Sequence, residues 1–148
     1  YQLVHAQPAS ILIDYRIRNP ALNEHAQVLV AFHRDGVLDV CRVITRELLF
    51  DAQKQPFGTI RMSIPKLWLG NGSYSISIMV ACEGYYDHRP TQYFSINPDV
   101  YTCLSRAIEI EVTGGGSVGS GTGVVNTAEW SLETQADFAD KPTREQHD

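Results

Sequence analysis

The sequence predicts an all-β protein, an antiparallel β-sandwich or barrel, on three observations. Apolar and polar residues alternate with a period of two along most of the chain. Turn signals interrupt that alternation at short intervals. No stretch carries a convincing amphipathic helical pattern.

The alternation is clearest in three segments. In "SILIDYRIRN" Ile11, Ile13, Tyr15 and Ile17 fall on one face, with Leu12, Asp14, Arg16 and Arg18 on the other. "GSYSISIMVA" sets Tyr74, Ile76, Ile78 and Val80 against Ser75, Ser77 and Met79, and "RAIEIEV" sets Ile108, Ile110 and Val112 against Ala107, Glu109 and Glu111. Such segments are strands with one buried face. "AQVLVAF" and "VCRVI" read as two more strands, joined through "HRDGV", where Asp35-Gly36 is a hairpin signal. "VITRELLFDAQK" is the best helical candidate and has room for a turn or two. Further turns are marked by Asn19-Pro20, Gln55-Pro56, Asn71-Gly72, Arg89-Pro90 and Asn97-Pro98. "NGS" at 71–73 matches a glycosylation sequon but reads here as a turn.

"TGGGSVGSGTGVV", residues 113–125, invites comparison with a phosphate-binding loop, since Gly116 and Gly121 stand five apart. Such a loop needs a lysine after its last glycine and a helix beyond it. Thr122 occupies the lysine's place, and "VVNTAEWSLE" reads as a strand, so the glycines form a turn or flexible connection between strands. After Glu133 the chain is polar, mixed in charge and aperiodic. The domain reading is therefore a sandwich over 1–133 and a loose, disordered tail over 134–148.

A length of 148 residues suits one domain with a core of its own. The formal charge of −5 argues against nucleic acid as a partner. No run is long enough to insert in a membrane as a helix. The chain opens at Tyr1 without a methionine, as a fragment of a longer protein would. Cys41, Cys82 and Cys103 form no CxxC pair, and the histidines form no HxH, HxxxH or HExxH motif, so neither a metal nor another cofactor is expected. A reducing, cytoplasmic setting fits the cysteines best. No G-x-S-x-G elbow is present.

The polar faces carry the candidate chemistry. Nine of the twelve positive residues are arginine, the residue suited to forked contacts with carboxylate, phosphate or hydroxyls. Arg16 and Arg18 share one side of a strand, and a two-residue turn at Asp35-Gly36 would put His33 and Arg42 on one surface. Arg16, Arg18 and Arg42 are the expected partners of negative charge, with His33, Ser75 and Ser77 adding hydrogen bonds. "EGYYDHRP" places Tyr85, Tyr86 and His88 in a neighbouring loop, where rings can meet the C–H faces of a sugar. Trp68 and Trp130 are expected as core anchors. Asp14, Glu109 and Glu111 leave open a carboxylate pair for glycoside hydrolysis.

The order "PASILIDYRI", "VLVAFHRDGVLDVCRVIT", "GTIRMSIPKLWLGNGSYSISIMVA", "GSVGSGTGVVNTAEWSLE" resembles the C-terminal domain of the ATP-binding proteins of O-antigen ABC transporters, the Wzt type. "IPKLWLGNGSYSISI" is the strongest match, and the likeness spans roughly residues 8–133. It implies a β-sandwich of jelly-roll or immunoglobulin type, acting in the cytoplasm beside the inner-membrane transporter. It also implies a non-catalytic carbohydrate-binding module that recognises the modified non-reducing terminus of a lipid-linked O-polysaccharide and so gates its export. The partners implied are that polysaccharide, the ATPase domain, the transmembrane transporter subunit and a second copy, with exchange of a C-terminal strand placed over 123–133. No family-wide binding signature falls on the residues chosen above. An adaptor sandwich that binds protein through an edge strand, and a small glycosidase using Asp14 or Glu109, are the alternatives.

Overall fold

A computed structural model describes residues 1–19, 25–34, 37–45, 54–88, 98–115 and 128–133. Their order is β1 (Gln2–Val4), β2 (Ala9–Arg16), β3 (Ala26–Arg34), β4 (Val37–Ile44), β5 (Phe57–Ile64), β6 (Gly72–Cys82), α1 (Tyr85–His88), β7 (Val100–Thr113) and β8 (Glu129–Glu133). The strands form a five-stranded sheet in the order β1-β7-β6-β3-β4 and a three-stranded sheet in the order β2-β5-β8. All pairs are antiparallel except β1 with β7.

Alternation decides what lies between the sheets. Val28, Val30 and Phe32 of β3 and Tyr74, Ile76 and Ile78 of β6 meet Ile60, Met62 and Ile64 of β5 in one buried cluster. Ile11, Ile13 and Tyr15 of β2 pack against it, as do Trp130 and Leu132 of β8. Their odd-and-even partners face outward: β2 is alternately half-buried and exposed along its whole length. This is a β-sandwich, and the β7-β6-β3-β4 order beside β2-β5 follows the immunoglobulin arrangement of its two sheets.

A second feature of that fold is present at the corner between β5 and β6. The Tyr74 hydroxyl donates to the Gly70 carbonyl at 2.8 Å, from the start of a strand back to the preceding corner. Gly72 opens β6 with φ of +140°, in the region L side chains rarely adopt. A Cβ at Gly72 would stand 3.0 Å from the Arg34 guanidinium, which lies over the Tyr74 ring at 5.7 Å. The glycine–x–tyrosine at the head of β6 therefore has a local physical cause.

Four sequence expectations meet the structure differently. Trp68 is 44% exposed, because Leu67 and Leu69 on either side take the buried positions; Trp130 does pack on the core. The segment containing Tyr85 and Tyr86 is a helical turn and not a loop. The parallel β1–β7 pair is a contact between distant parts of the chain with no local signal. An unbroken two-residue hairpin would set Ala31 opposite Val40. Instead Ala31 pairs with Arg42, because the register shifts between Phe32 and Arg34. The shift is even, so Arg42 stays on the His33 side.

The Asp35-Gly36 and Arg89-Pro90 turns, residues 46–53 of the helical candidate, the glycines from 116 to 123 and the tail over 134–148 lie outside the described residues. Among the described residues no helix is long and apolar enough to cross a membrane.

Tyr74→Phe removes one buried hydrogen bond and leaves the Gly70 carbonyl short of a donor. A loss of about 1–3 kcal/mol is expected from denaturant unfolding. An unchanged midpoint would show that the corner bond contributes nothing. By the same measurement, Phe32→Ala is expected to cost about 3–5 kcal/mol, while Leu12→Ala on the open face stays within about 0.5 kcal/mol.

Candidate functional site

The outer face of the five-stranded sheet can be read row by row from the strand register. Ile44, Leu29, Met79 and Cys103 form one row; Arg42, Ala31 and Ser77 the next; His33, Ser75 and Glu109 the third. Ser73, Glu111 and Gln2 form the fourth. Chemistry changes along this series. The first row is apolar, the second mixed, the last two polar.

The apolar end is covered. Leu29, Ala31, Met79 and Ala81 pack with Tyr85 and Tyr86 of α1 in a cluster separate from the interlayer core. Both tyrosines are 4% exposed, so their rings are spent on this packing and present no stacking surface. The Tyr86 hydroxyl is buried without a hydrogen-bond partner, as is Gln27 Oε1 on the same face. Burial raises the Tyr86 pKa well above 10.0; Tyr85, Cys103 and Cys82 nearby add to this, and Arg42 opposes it.

Where the apolar rows end, His33 and Ser77 form a buried pair, His33 Nε2 to Ser77 Oγ at 2.8 Å. The same serine oxygen accepts the Arg106 backbone N–H at 2.9 Å. That bond is possible because β7 bulges there: Ile76 pairs with Ile108 and Ile78 with Leu104, and Arg106 takes φ of 47°. Each of His33 and Ser77 is 1% exposed, so the pair positions the sheet surface and does not itself reach out.

Beyond it the face opens into a cavity of about 470 Å³ lined by Gln2, His33, Ser73, Ser75, Glu109 and Glu111. Tyr1 also lines it, its backbone nitrogen donating to the Glu109 carbonyl at 3.2 Å and its carbonyl accepting the Glu111 N–H at 2.8 Å. Two carboxylates, two serine hydroxyls and a glutamine amide converge here, above the buried His33. Such a set hydrogen-bonds a polyhydroxylated ligand from several directions.

Of the residues singled out from the sequence, His33, Arg42, Ser75 and Ser77 share this face, and Tyr85 and Tyr86 cover its far end. Arg16 and Arg18 do not join them. Arg16 ends β2, in the other sheet, Arg18 lies two residues beyond it, and both line a second cavity of about 620 Å³ beside Tyr15, Tyr101 and Leu104. His88 closes α1, and its side chain lies outside the described residues. Asp14 accepts a hydrogen bond from Thr59 at 2.6 Å on the three-stranded sheet, which separates it from Glu109. Gln2, Ser73 and Glu111 were not anticipated as lining. The alternation of "RAIEIEV" did place Glu109 and Glu111 on one side, but their neighbours depend on pairing between distant strands.

Among the described residues no group of three or more His, Cys, Asp or Glu side chains could hold a metal ion. Cys41, Cys82 and Cys103 are not joined in a disulfide. Compared with known proteins, the chain matches no family model, no curated protein and no solved structure.

Tyr86→Phe removes a hydroxyl that is buried and unpartnered, so stability should hold or rise by about 1 kcal/mol. A loss of stability would show that the hydroxyl is satisfied after all. A tyrosine whose folded pKa is raised keeps its full contribution to stability below its unfolded pKa, and that contribution falls as pH rises above it. Unfolding measured above pH 10.0 should therefore show a steeper decline for the native chain than for Tyr86→Phe. Parallel declines would remove Tyr86 as the cause.

Proposed function

We propose that this chain is a non-catalytic carbohydrate-binding module and that the polar end of the five-stranded sheet's outer face is its site. The observation carrying this reading is the cavity over the His33–Ser75–Glu109 and Ser73–Glu111–Gln2 rows. Its volume of about 470 Å³ falls within the range of small-ligand clefts. Its lining is rich in hydroxyl and carboxylate groups that accept from sugar hydroxyls.

The ligand we infer, guided by the sequence resemblance, is the modified non-reducing end of a lipid-linked O-polysaccharide, whose capture licenses export through an ABC transporter. The parent assembly would supply the ATPase domain and the membrane subunits, on the cytoplasmic side of the inner membrane. Neither Lys nor Arg is among the lining side chains, and two glutamates are. A neutral or methylated cap therefore suits the groove better than an acidic one, and Arg16 and Arg18 lie at a separate cavity. Affinity should be modest, since a polar open site must lose hydration before it gains contacts.

Dimerisation by strand exchange is part of the same proposal. β8 lies on β5 through the pairs from Thr59 with Glu133 to Ser63 with Glu129. The same slot on β5 accepts β8 from a second copy. One observation favours the adaptor alternative: β1 pairs only with Glu111, Val112 and Thr113, which leaves the first part of β7 without that neighbour. The Arg106 bulge works against a strand adding there.

Ligand-observed saturation-transfer NMR with O-polysaccharides that carry or lack the terminal modification tests the reading. Transfer confined to the capped end is expected, and Glu109→Gln should weaken it about tenfold, while Arg16→Ala leaves it unchanged. No transfer from any glycan, together with recovery of a protein that binds the β7 edge, would favour the adaptor.

A further inference from the structure

The second cavity has its origin in the sheet order. β2 is the outer strand of the smaller sheet and pairs on one side only, with β5. Beneath it the larger sheet carries on. Ile78 of β6 and Leu104 of β7 are register partners, yet Ile78 is 5% exposed and Leu104 is 50% exposed. The cover that the smaller sheet gives the larger one therefore ends between them. The cavity of about 620 Å³ lies at that step and reaches inward to Ile60, Ile78 and Val80.

Two features of β2 make this a place for a strand. Seven consecutive residues, from Ile13 to Asn19, line the cavity. Successive side chains of a strand point to opposite faces, so an unbroken run in one lining is met along the strand's edge. The backbone at that edge is also unused. The Ile17 N–H donates to the Pro56 carbonyl at 2.7 Å, which fixes the phase of the ladder. Ile13, Tyr15 and Ile17 turn their backbone groups to β5, while Leu12, Asp14 and Arg16 turn theirs to the open side. Among the described residues no strand pairs with that side.

The charges select the kind of strand. Arg16 and Arg18 are exposed toward one end of the run. Asp14, the carboxylate among them, already accepts the Thr59 hydroxyl at 2.6 Å. A charged edge discourages indiscriminate pairing, and here the excess is positive. β7 projects beneath the open side, so a single extended segment fits there. The edge of a second sandwich would bring its own larger sheet against β7.

We propose that the edge of β2 takes an extended peptide of a protein partner, in which apolar residues alternate with acidic ones. Its backbone continues the ladder on Leu12, Asp14 and Arg16. Its apolar side chains enter the cavity over Ile78, Val80 and Leu104, and its carboxylates meet Arg16 and Arg18. This goes beyond the carbohydrate reading and does not depend on it, since the groove and this cavity share no lining residue.

The test uses the full chain and synthetic peptides in which valine, leucine or tyrosine alternates with glutamate. Each has a counterpart with lysine in place of glutamate, and amide hydrogen exchange by NMR is the readout. In the free chain the Leu12, Asp14 and Arg16 amides should exchange fast, and those of Ile13, Tyr15 and Ile17 slowly. An acidic peptide should slow the first three. Its affinity should fall about tenfold in the lysine counterpart, and again in the double variant Arg16→Glu, Arg18→Glu. Slow exchange of the three amides in the free chain overturns the proposal, because the edge is then already paired. Protection that grows with protein concentration alone assigns the edge to a second copy and overturns it too. So does the absence of protection by any acidic peptide, or equal protection by the lysine series. If decanoate moves the Ile78 and Val80 methyl resonances and no peptide does, the cavity belongs to an amphiphile and the strand reading falls.

Discussion

The pairing of β3 with β6 is the constraint from which the rest of the structure follows. Eight consecutive pairs, from Ala26 with Cys82 to His33 with Ser75, hold the two strands together at the middle of the larger sheet. β3 is buried on both faces for nearly its whole length. Because side chains alternate, a slip of one residue would send Val28, Val30 and Phe32 out of the interlayer core and Leu29, Ala31 and His33 into it. The first change would expose the apolar residues that meet the smaller sheet. The second would bury an imidazole without Ser77. Register is therefore held from both sides, and the row of polar residues that lines the groove is a consequence of it.

That double burial also explains why the outer face is divided. An open sandwich face can be polar throughout, but a strand buried on both sides needs cover for its second face. α1 provides the cover with Tyr85 and Tyr86 over Leu29, Met79 and Ala81. α1 is four residues long, and its tyrosines pack on the apolar rows and not on the His33 row. The His33 row and the row beyond it line the polar cavity. The unpartnered Tyr86 hydroxyl is a cost of this arrangement, tolerated because the ring is what the apolar rows need.

Much of the fold was legible in the sequence because strand alternation is a local signal. The facing of β2, β6 and the end of β7 followed from "SILIDYRIRN", "GSYSISIMVA" and "RAIEIEV". Which strands become neighbours was not legible, since pairing of β1 with β7 or β2 with β5 joins segments far apart in the chain. Arg16 and Arg18 illustrate the consequence. Both are exposed, but Arg16 ends a strand of the other sheet and Arg18 lies beyond it, so they share no sheet face with Arg42. Trp68 shows the converse: a large apolar residue was expected inside, while the smaller leucines beside it filled the space. Ser77 was read as a surface hydroxyl, and the bulge that buries it under Arg106 has no local signature. Gln2 and Glu111 could enter the groove only once β1 was known to lie on β7.

The central claim is a matter of place: ligand meets the polar rows over β6, β7 and β1. Backbone amide chemical shifts recorded during titration with a capped O-polysaccharide test it most directly. The account requires the largest changes at Gln2, Ser73, Ser75, Glu109 and Glu111, with β2 and β5 quiet. Changes centred instead on Arg16, Arg18 and Leu104 would contradict it and move the site to the second cavity, lined by residues of both sheets.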